Sequence, residues 1–204
     1  MSRNLKPKAK IVRRFRSNIF ENEKYSRILD KKPAPPGPKK KRRPNVSEYG
    51  KQLGEKQKIR YSYGLSERQF RNTFKKAKQL KGVTDGNMIT LLESRLDNVV
   101  YRLGMASTRS QARQLVNHNH IRVNGKKMDI PSYTVCENDV ITVRDRNKSK
   151  KLVQDYIAEN AGKTIPEWLE FSKVDGTGKI LRKPQREDVV LPGDIQLVVE
   201  FYSK

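Results

Sequence analysis

The sequence contains very few of the residues that metal sites and disulfide frameworks require. It has one cysteine, Cys136, and two histidines, so neither a set of disulfides nor an internal cysteine-based metal site is expected. His118 and His120 have no third ligand nearby, and we predict neither a metal nor a cofactor. A glycine-rich phosphate loop with its lysine is absent as well. Cys136 falls in a predicted strand, where we expect it to be a small buried side chain.

Long apolar runs and acidic residues are also scarce. No apolar run approaches the roughly 18 residues that cross a bilayer, and we expect no membrane partner. Lys and Arg total 45 against 22 Asp and Glu, for a net charge of +23. A compact protein with this excess repels itself unless a polyanion, either nucleic acid or a membrane surface, compensates the charge.

The positive charge is concentrated near the start of the chain. Residues 1–81 hold 26 Lys and Arg against 6 acidic residues, whereas residues 82–204 hold 19 against 16. Residues 31–46 alone contain five prolines and seven basic residues. We therefore predict that residues 1–46 form a basic, extended arm that stays mobile until it lies on phosphate. An Arg-rich start also fits a mitochondrial transit peptide, but the basic character continues past any plausible cleavage point.

Residues 47–87 are predicted to form a helical domain. Ser66 and Gln69 have the spacing of a capping box, and Phe70, Phe74 and Ala77 follow at helical intervals, which predicts a buried stripe. A second face of this helix carries four cations with no acidic partner among them, and we favour phosphate contact over a solvated surface. These cations are Arg68, Arg71, Lys75 and Lys78.

Residues 88–194 are predicted to form a second domain. A single helix is expected over residues 90–104, capped by Thr90 and Glu93, with Asp97 on its polar face. Thr108 and Gln111 cap the next helix, and Asn124-Gly125 predicts a tight hairpin. Strands are predicted on both sides of the Asn138-Asp139 turn and again in "EWLEF", "KILRK" and "IQLVVEFY". The fold class is therefore α+β: a basic helical N-terminal domain plus a helix–hairpin domain with a small antiparallel sheet.

Arg109 and Arg113 lie one turn apart at the start of the helix that precedes the hairpin. That position places two guanidinium groups near a helix N-terminus, which itself attracts phosphate. The window alone fits solvated arginines equally well. The basic arm and the basic helical face favour phosphate binding, and we expect both arginines to flank the core rather than enter it.

Several strings resemble one family. "LLESRLDNVVYRLG" together with "STRSQARQLVNHNHIRVNG" resembles the RNA-binding domain first described in protein four of the small ribosomal subunit. "EKQKIRYSYGLSERQFRN" and "LVVEFYSK" are similar to that ribosomal family outside the domain. The resemblance implies that the RNA-binding module spans about residues 94–157 of the second domain. It also implies that residues 195–204 join the N-terminal domain. Two departures are a missing N-terminal cysteine cluster, so metal binding is not carried over, and Gly37-Pro38-Lys39-Lys40 in place of the family's usual turn.

The resemblance implies a bacterial-type ribosomal protein that binds small-subunit rRNA at a multi-helix junction and nucleates assembly of the subunit body. It also implies a place at the messenger RNA entrance, with small-subunit proteins three and five as neighbours, and a cytoplasmic rather than an organellar ribosome. Together with the charge pattern it predicts these RNA contacts: Arg13, Arg14, Arg42, Arg43, Lys56, Lys58, Arg60, Arg68, Arg71, Lys75, Lys78, Arg95, Arg109, Gln111, Arg113, His118, His120, Arg122, Asn124 and Lys126.

The alternative is a standalone RNA-modifying or RNA-chaperone protein that uses the same module. "RLD" at residues 95–97 resembles the short motif that carries the catalytic aspartate of pseudouridine synthases. The predicted helical position of Asp97 and the short remaining chain disfavour that activity. We therefore predict that the protein is not an enzyme and has no catalytic residue.

Overall fold

A computed structural model of the chain describes residues 6–37 and 46–203. The described residues form two compact units, one within Met1–Asp85 and Val190–Lys204 and the other within Gly86–Val189. The predicted domain boundaries at residues 47, 88 and 195 stay predictions. The helices of the described part are α1 Lys8–Phe15, α2 Glu23–Lys31, α3 Glu48–Ser62, α4 Glu67–Gln79, α5 Thr84–Glu93, α6 Leu96–Arg102, α7 Arg109–Asn117, α8 Asn147–Glu159 and α9 Ile195–Ser203. The strands are β1 Ile121–Val123, β2 Lys126–Lys127, β3 Val140–Val143, β4 Leu169–Ser172 and β5 Thr177–Ile180.

In the first unit, helix α4 is defined by its N-terminal cap. The hydroxyl of Ser66 accepts from the backbone of Gln69, and the Gln69 side chain accepts from the backbone of Ser66. Phe70, Phe74 and Ala77 are buried, so the predicted capping box and core stripe are both confirmed. Helix α3 runs without a break through Gly50 and Gly54.

The last element of the first unit is a helix, and the strand predicted for "IQLVVEFY" is wrong. Ile195 and Val198 are buried at i and i+3 of α9, which is helical spacing. The helix packs along α3. The ring of its Tyr202 stacks on the ring of Phe74 in α4, with the two ring centroids 4.9 Å apart. The apolar residues of "IQLVVEFY", which are typical of a strand, therefore belong to a helix that packs on the core of this unit.

The prediction of an extended arm is wrong for residues 8–31, which form α1 and α2. Ile11, Val12 and Ile19 are buried and form a small cluster with Tyr61 of α3. The side chain of Asn22 caps α2 by accepting from the backbone of Lys24. The ordering cost of these residues is offset by apolar burial, which the high charge of the segment concealed. Residues 38–45 lie outside the described part.

The second unit is built on a five-stranded antiparallel sheet in the order β2-β1-β3-β5-β4. Its core includes Trp168 from the chain before β4, Leu96 and Val100 from α6, and Val116 from α7, all fully buried. The chain combines helices with a wholly antiparallel sheet, so the α+β class is confirmed. Asn124 and Gly125, with φ of 50° and 75°, form the predicted two-residue hairpin turn between β1 and β2.

The single helix predicted for residues 90–104 is wrong, because the chain breaks between α5 and α6. Arg95 pairs with Thr134 as an isolated antiparallel bridge, and the amide of Leu96 donates to the carbonyl of Tyr133. Thr90 lies inside α5, where its hydroxyl donates to the carbonyls of Gly86 and Pro184, so it caps nothing. Apolar residues keep helical spacing across the break, and that spacing concealed it.

Two smaller predictions in the second unit are also wrong. Cys136 is exposed and lies outside the strands, because the chain turns there and Asp139 accepts from its amide. Of the two strands predicted around Asn138-Asp139, only β3 forms. Within residues 6–37 and 46–203, no helix is both long and apolar enough to cross a membrane.

Candidate nucleic-acid interface

Helix α4 presents an exposed face of four cations. Arg68, Arg71, Lys75 and Lys78 are all exposed, since Phe70 and Phe74 turn the opposite side of the helix into the core. None of the four forms an ion pair with a carboxylate in the described part of the chain. Like charges at i, i+3 and i+4 repel each other on an isolated helix, so this face suits a row of phosphates.

Other predicted contacts of the first unit are used inside the fold. Lys56 is only 4% exposed; its Nζ lies 2.6 Å from Oε1 of Glu67 and 4.6 Å from the ring centroid of Phe201. Arg60 stacks over Tyr61 and lies 3.5 Å from Glu67. Lys58 pairs with Glu55 at 2.6 Å. Lys56 and Arg60 therefore link α3 to α4 through Glu67, whereas Lys58 pairs within α3.

The contacts predicted near the N-terminus are partly described. Arg13 donates from Nε to the carbonyl of Ala34 at 3.0 Å, which ties α1 to the chain after α2. The guanidinium of Arg14 lies over the ring of Phe15 at 5.9 Å. Arg42 and Arg43 lie outside the described residues.

Glu67 is the anionic centre of the first unit. Burial raises the pKa of its carboxyl, but hydrogen bonds from Lys56 and Tyr202 outweigh burial and hold the pKa below its usual 4.5. Burial and the bond to Glu67 in turn raise the pKa of Tyr202. The hydroxyl of Tyr202 donates to Oε1 at 2.8 Å, so α9 and α3 meet at one carboxylate.

We expect the stability of the first unit to fall as pH drops through the lowered pKa of Glu67. A carboxyl whose pKa is lower in the folded state stabilises the fold above its unfolded value of 4.5, and this stabilisation is lost on protonation. Protonation also leaves Lys56 buried without a counter-charge. Urea unfolding followed by amide exchange, at about pH 6 and about pH 3, measures the effect.

Glu67→Gln should remove this part of the pH dependence, because the variant has no carboxyl to protonate. Glu48→Gln, at an exposed carboxyl in the first turn of α3, is the control and should keep it. Equal pH profiles for wild type and Glu67→Gln would contradict the role of this carboxylate.

In the second unit, Asp97 anchors two buried arginines. Arg95 donates to both carboxylate oxygens, at 3.1 and 2.8 Å, and Nη1 of Arg113 lies 3.6 Å from Oδ2. All three residues are at most 8% exposed. The expectations that Asp97 lies on a polar face and that Arg113 flanks the core are therefore wrong. The break before α6 turns these side chains inward, where they share one negative charge.

A second buried carboxylate organises Arg109. Glu93 is fully buried and accepts two bonds from Arg102 and one from the amide of Asn98. The carbonyl oxygen of that amide accepts from Nε of Arg109 at 2.9 Å. The Arg109 guanidinium also lies 4.5 Å from the ring centroid of Tyr101. A chain from Glu93 to Arg109 thus fixes the orientation of a predicted RNA contact at the start of α7.

Two of the predicted RNA contacts in and before the hairpin, Asn124 and Gln111, form hydrogen bonds within the fold. Asn124 donates to Asp139 and accepts from the amide of Val140, so it holds the turn to β3. Gln111 accepts from the backbone of Ser107, where a capping box with Thr108 was predicted; Thr108 itself caps α7 as predicted. Lys126 is exposed and Arg122 half-buried.

His118 and His120 stack at the end of α7 with ring centroids 6.3 Å apart. Nδ1 of His120 lies 3.0 Å from the hydroxyl of Ser149, and burial, followed by the nearby charges of His118 and Arg144, lowers the pKa of His120. In the described part of the chain, no group of three or more His, Cys, Asp or Glu side chains could hold a metal ion.

Three cations near the predicted RNA contacts were not predicted from the sequence. Arg102 pairs with Glu93, and Lys163 lies 4.2 Å from the ring centroid of Tyr101. Arg144 follows β3 and joins the hairpin because its amide donates to the carbonyl of His120. The last two are distant in sequence from the module's arginines, and only the fold brings them together.

Comparison with known proteins matches both units. Residues 3–93 match the ribosomal protein S4/S9 N-terminal domain, and residues 94–141 match the S4 domain. The small ribosomal subunit protein uS4 of Borrelia hermsii is 47% identical over 206 residues, covering 100% of this chain and 99% of that protein. The chain belongs to the uS4 family. The uS4 proteins of Borreliella burgdorferi strain B31 and Treponema pallidum are 46% and 45% identical, the latter over 97% of both chains.

Membership of the uS4 family confirms the predicted resemblance across the whole chain. The family consists of structural ribosomal proteins, which confirms that the chain is not an enzyme. The matched S4 domain is an RNA-binding domain, so rRNA binding and a part in translation follow. Asp97 therefore has a structural role in an RNA-binding module, despite its resemblance to a synthase aspartate.

Proposed function

We propose that the protein binds small-subunit rRNA at a multi-helix junction and nucleates assembly of the subunit body. In this proposal it also lines the messenger RNA entrance with the segment that contains Arg42 and Arg43, next to small-subunit proteins three and five. The ribosome concerned is cytoplasmic and of bacterial type. The observation that carries the proposal is the exposed face of α4, whose four cations have no carboxylate partner in the described residues.

The charge distribution of the two units supports several separate contacts with one RNA. In the first unit, α4 offers cations along a rigid helix whose far side is anchored in the core. In the second, two buried carboxylates serve four arginines: Arg95, Arg102, Arg109 and Arg113. That arrangement holds the four guanidinium groups in place around α6 and α7. An RNA junction, with phosphates in several directions, suits such a surface.

Cosedimentation tests the proposal directly. The purified protein is mixed with small-subunit particles that lack their own copy, at moderate salt, and both pellet and assembled fraction are measured. We expect stoichiometric incorporation and faster assembly of the body. Binding to free RNA without incorporation would favour the alternative of a standalone RNA chaperone.

Substitutions at two neighbouring lysines of α4 test whether its basic face contacts RNA. We expect Lys75→Gln to lower the log–log salt slope of rRNA binding by about 0.7–0.9, because one phosphate contact releases about that many counterions. Lys76→Gln, equally exposed but on another side of α4, should leave the slope unchanged. Binding is measured by filter retention over a range of salt concentrations. Equal slopes for the two variants would remove this face from the interface.

A further inference from the structure

A small basic pocket lies beside the hairpin of the second unit. Its volume is about 150 Å³, and it is lined by Asn119, Ile121, Arg122, Lys127 and Arg144. Ile121 is fully buried and forms an apolar floor. Three of the five lining residues are cations, so the pocket is built for an anion.

The cations are brought together by strand pairing. Arg122 of β1 is directly opposite Lys127 of β2, and like charges at such a position destabilise a sheet. Arg144 arrives from the other side, because its amide donates to the carbonyl of His120 at 2.7 Å. An anion between the three side chains would remove the repulsion.

The carboxylates nearby compensate this charge only weakly. Asp129 lies 3.7 Å from Lys127, and both side chains are more than half exposed. Asp145 is hydrogen-bonded to Lys150 at 2.7 Å, and its interaction with Arg122 is only a weaker electrostatic one. Arg122 itself donates to the carbonyl of Gly125, which keeps its guanidinium at the pocket rather than on an acid.

Asn119 adds an amide whose oxygen has no hydrogen-bond donor. This Oδ1 is buried, and an unsatisfied buried polar atom costs free energy. The last torsion of an asparagine side chain is soft, so either Oδ1 or Nδ2 can be turned toward the pocket. A hydroxyl group suits both cases because it donates and accepts.

We propose that this pocket binds one RNA nucleotide, with its phosphate on Arg122, Lys127 and Arg144 and its ribose 2′-hydroxyl on the amide of Asn119. The proposal rests on the RNA-binding function proposed above and adds to it a site that distinguishes RNA from DNA. The 2′-hydroxyl is the group that permits this distinction. Neither Asn119 nor Arg144 was predicted from the sequence.

The test uses the full chain and two probes that differ in one group. A short oligouridylate and its 2′-deoxy counterpart carry the same base, which has no exocyclic amine. Each is titrated at fixed moderate salt while the side-chain NMR signals of Arg144 and Asn119 are followed, so that binding at other basic surfaces does not enter the measurement. We expect the wild type to bind the RNA probe at this pocket about 3- to 10-fold more tightly, the value of one hydrogen bond.

The variants separate the two halves of the site. Asn119 has a φ of 60°, which glycine adopts without strain, so Asn119→Gly removes the amide and keeps the backbone. We expect Asn119→Gly to abolish the preference while the Arg144 signal still titrates with both probes. Arg144→Gln should weaken both probes by about tenfold or more and keep the preference. Lys148→Gln, at an exposed position in the first turn of α8, should change neither.

Several results would overturn the proposal: equal affinities in the wild type, a preference that survives Asn119→Gly, or no shift of the Arg144 signal with either probe. A shift that inorganic phosphate reproduces, with no preference for RNA, would mean an anion site only and would also overturn it. Cosedimentation separates this result from the proposed function. Failed incorporation with the preference intact leaves the pocket standing, whereas normal incorporation without the preference removes the pocket alone.

Discussion

Asp97→Ala is expected to destabilise the second unit by about 3–5 kcal/mol, the cost of removing one partner from a buried ion pair. The substitution leaves Arg95 and Arg113, both at most 8% exposed, without the carboxylate that they share. Two desolvated guanidinium groups would then repel each other inside the corner between α6 and α7. Opening that corner to water would relieve this repulsion.

Hydrogen exchange of the amides in α6 and α7 measures this effect within one unit, which matters because a protein of two units need not unfold in one step. We expect exchange from globally protected amides to accelerate by at least about 100-fold. Asp155→Ala is the control, since Asp155 is exposed on α8 of the same unit; it should change stability by no more than about 0.5 kcal/mol. Similar exchange in the two variants would show that Asp97 is not the anchor of this corner.

Val198→Asp is expected to unfold the first unit or to destabilise it by more than about 4 kcal/mol. Val198 is fully buried in α9, so the substitution loses the burial of an apolar side chain and places a carboxyl in the buried interior of the unit. Because α9 packs along α3, the effect should extend to α3 and α4, far away in the sequence. The second unit should keep its exchange protection.

The matched control for this prediction is Val190→Asp, because Val190 is 89% exposed and the chemical change is identical. Exchange of the amides in α3 and α4 should stay close to wild type in this control. Retained protection of α3 in Val198→Asp would mean that the C-terminal helix is dispensable for the core of the first unit.

The features that local sequence predicted well are those with local causes. Ser66 with Gln69, and Thr108 at the start of α7, cap helices because a hydroxyl reaches an amide three residues away. Asn124-Gly125 forms its turn because both residues tolerate positive φ. The RNA-binding character was visible as well, since a net charge of +23 needs a polyanion wherever the charges lie.

The predictions that were wrong concern segments whose structure depends on distant parts of the chain. The run from Thr90 to Gly104 has unbroken helical spacing, yet it breaks at Ser94 and Arg95 because residues 133–135 pair with the chain there. The segment at 195–203 carries strand-like residues, yet it is helical because the core over α3 accepts Ile195 and Val198 at i and i+3. Charge predicted an extended arm, yet Ile11, Val12 and Ile19 find a partner in Tyr61.

The sequence by itself determined the caps of α4 and α7, the hairpin, the fold class, the RNA-binding character and the exposed cations of α4. Tertiary structure alone decided which cations serve the fold: Arg95 and Arg113 are buried on Asp97, while Lys56 is buried on Glu67. It alone also brought Arg144 to Arg122 and Lys127. The reason is physical, because a charge shows its sign in the sequence, whereas its burial and its partner depend on which distant segments pack beside it.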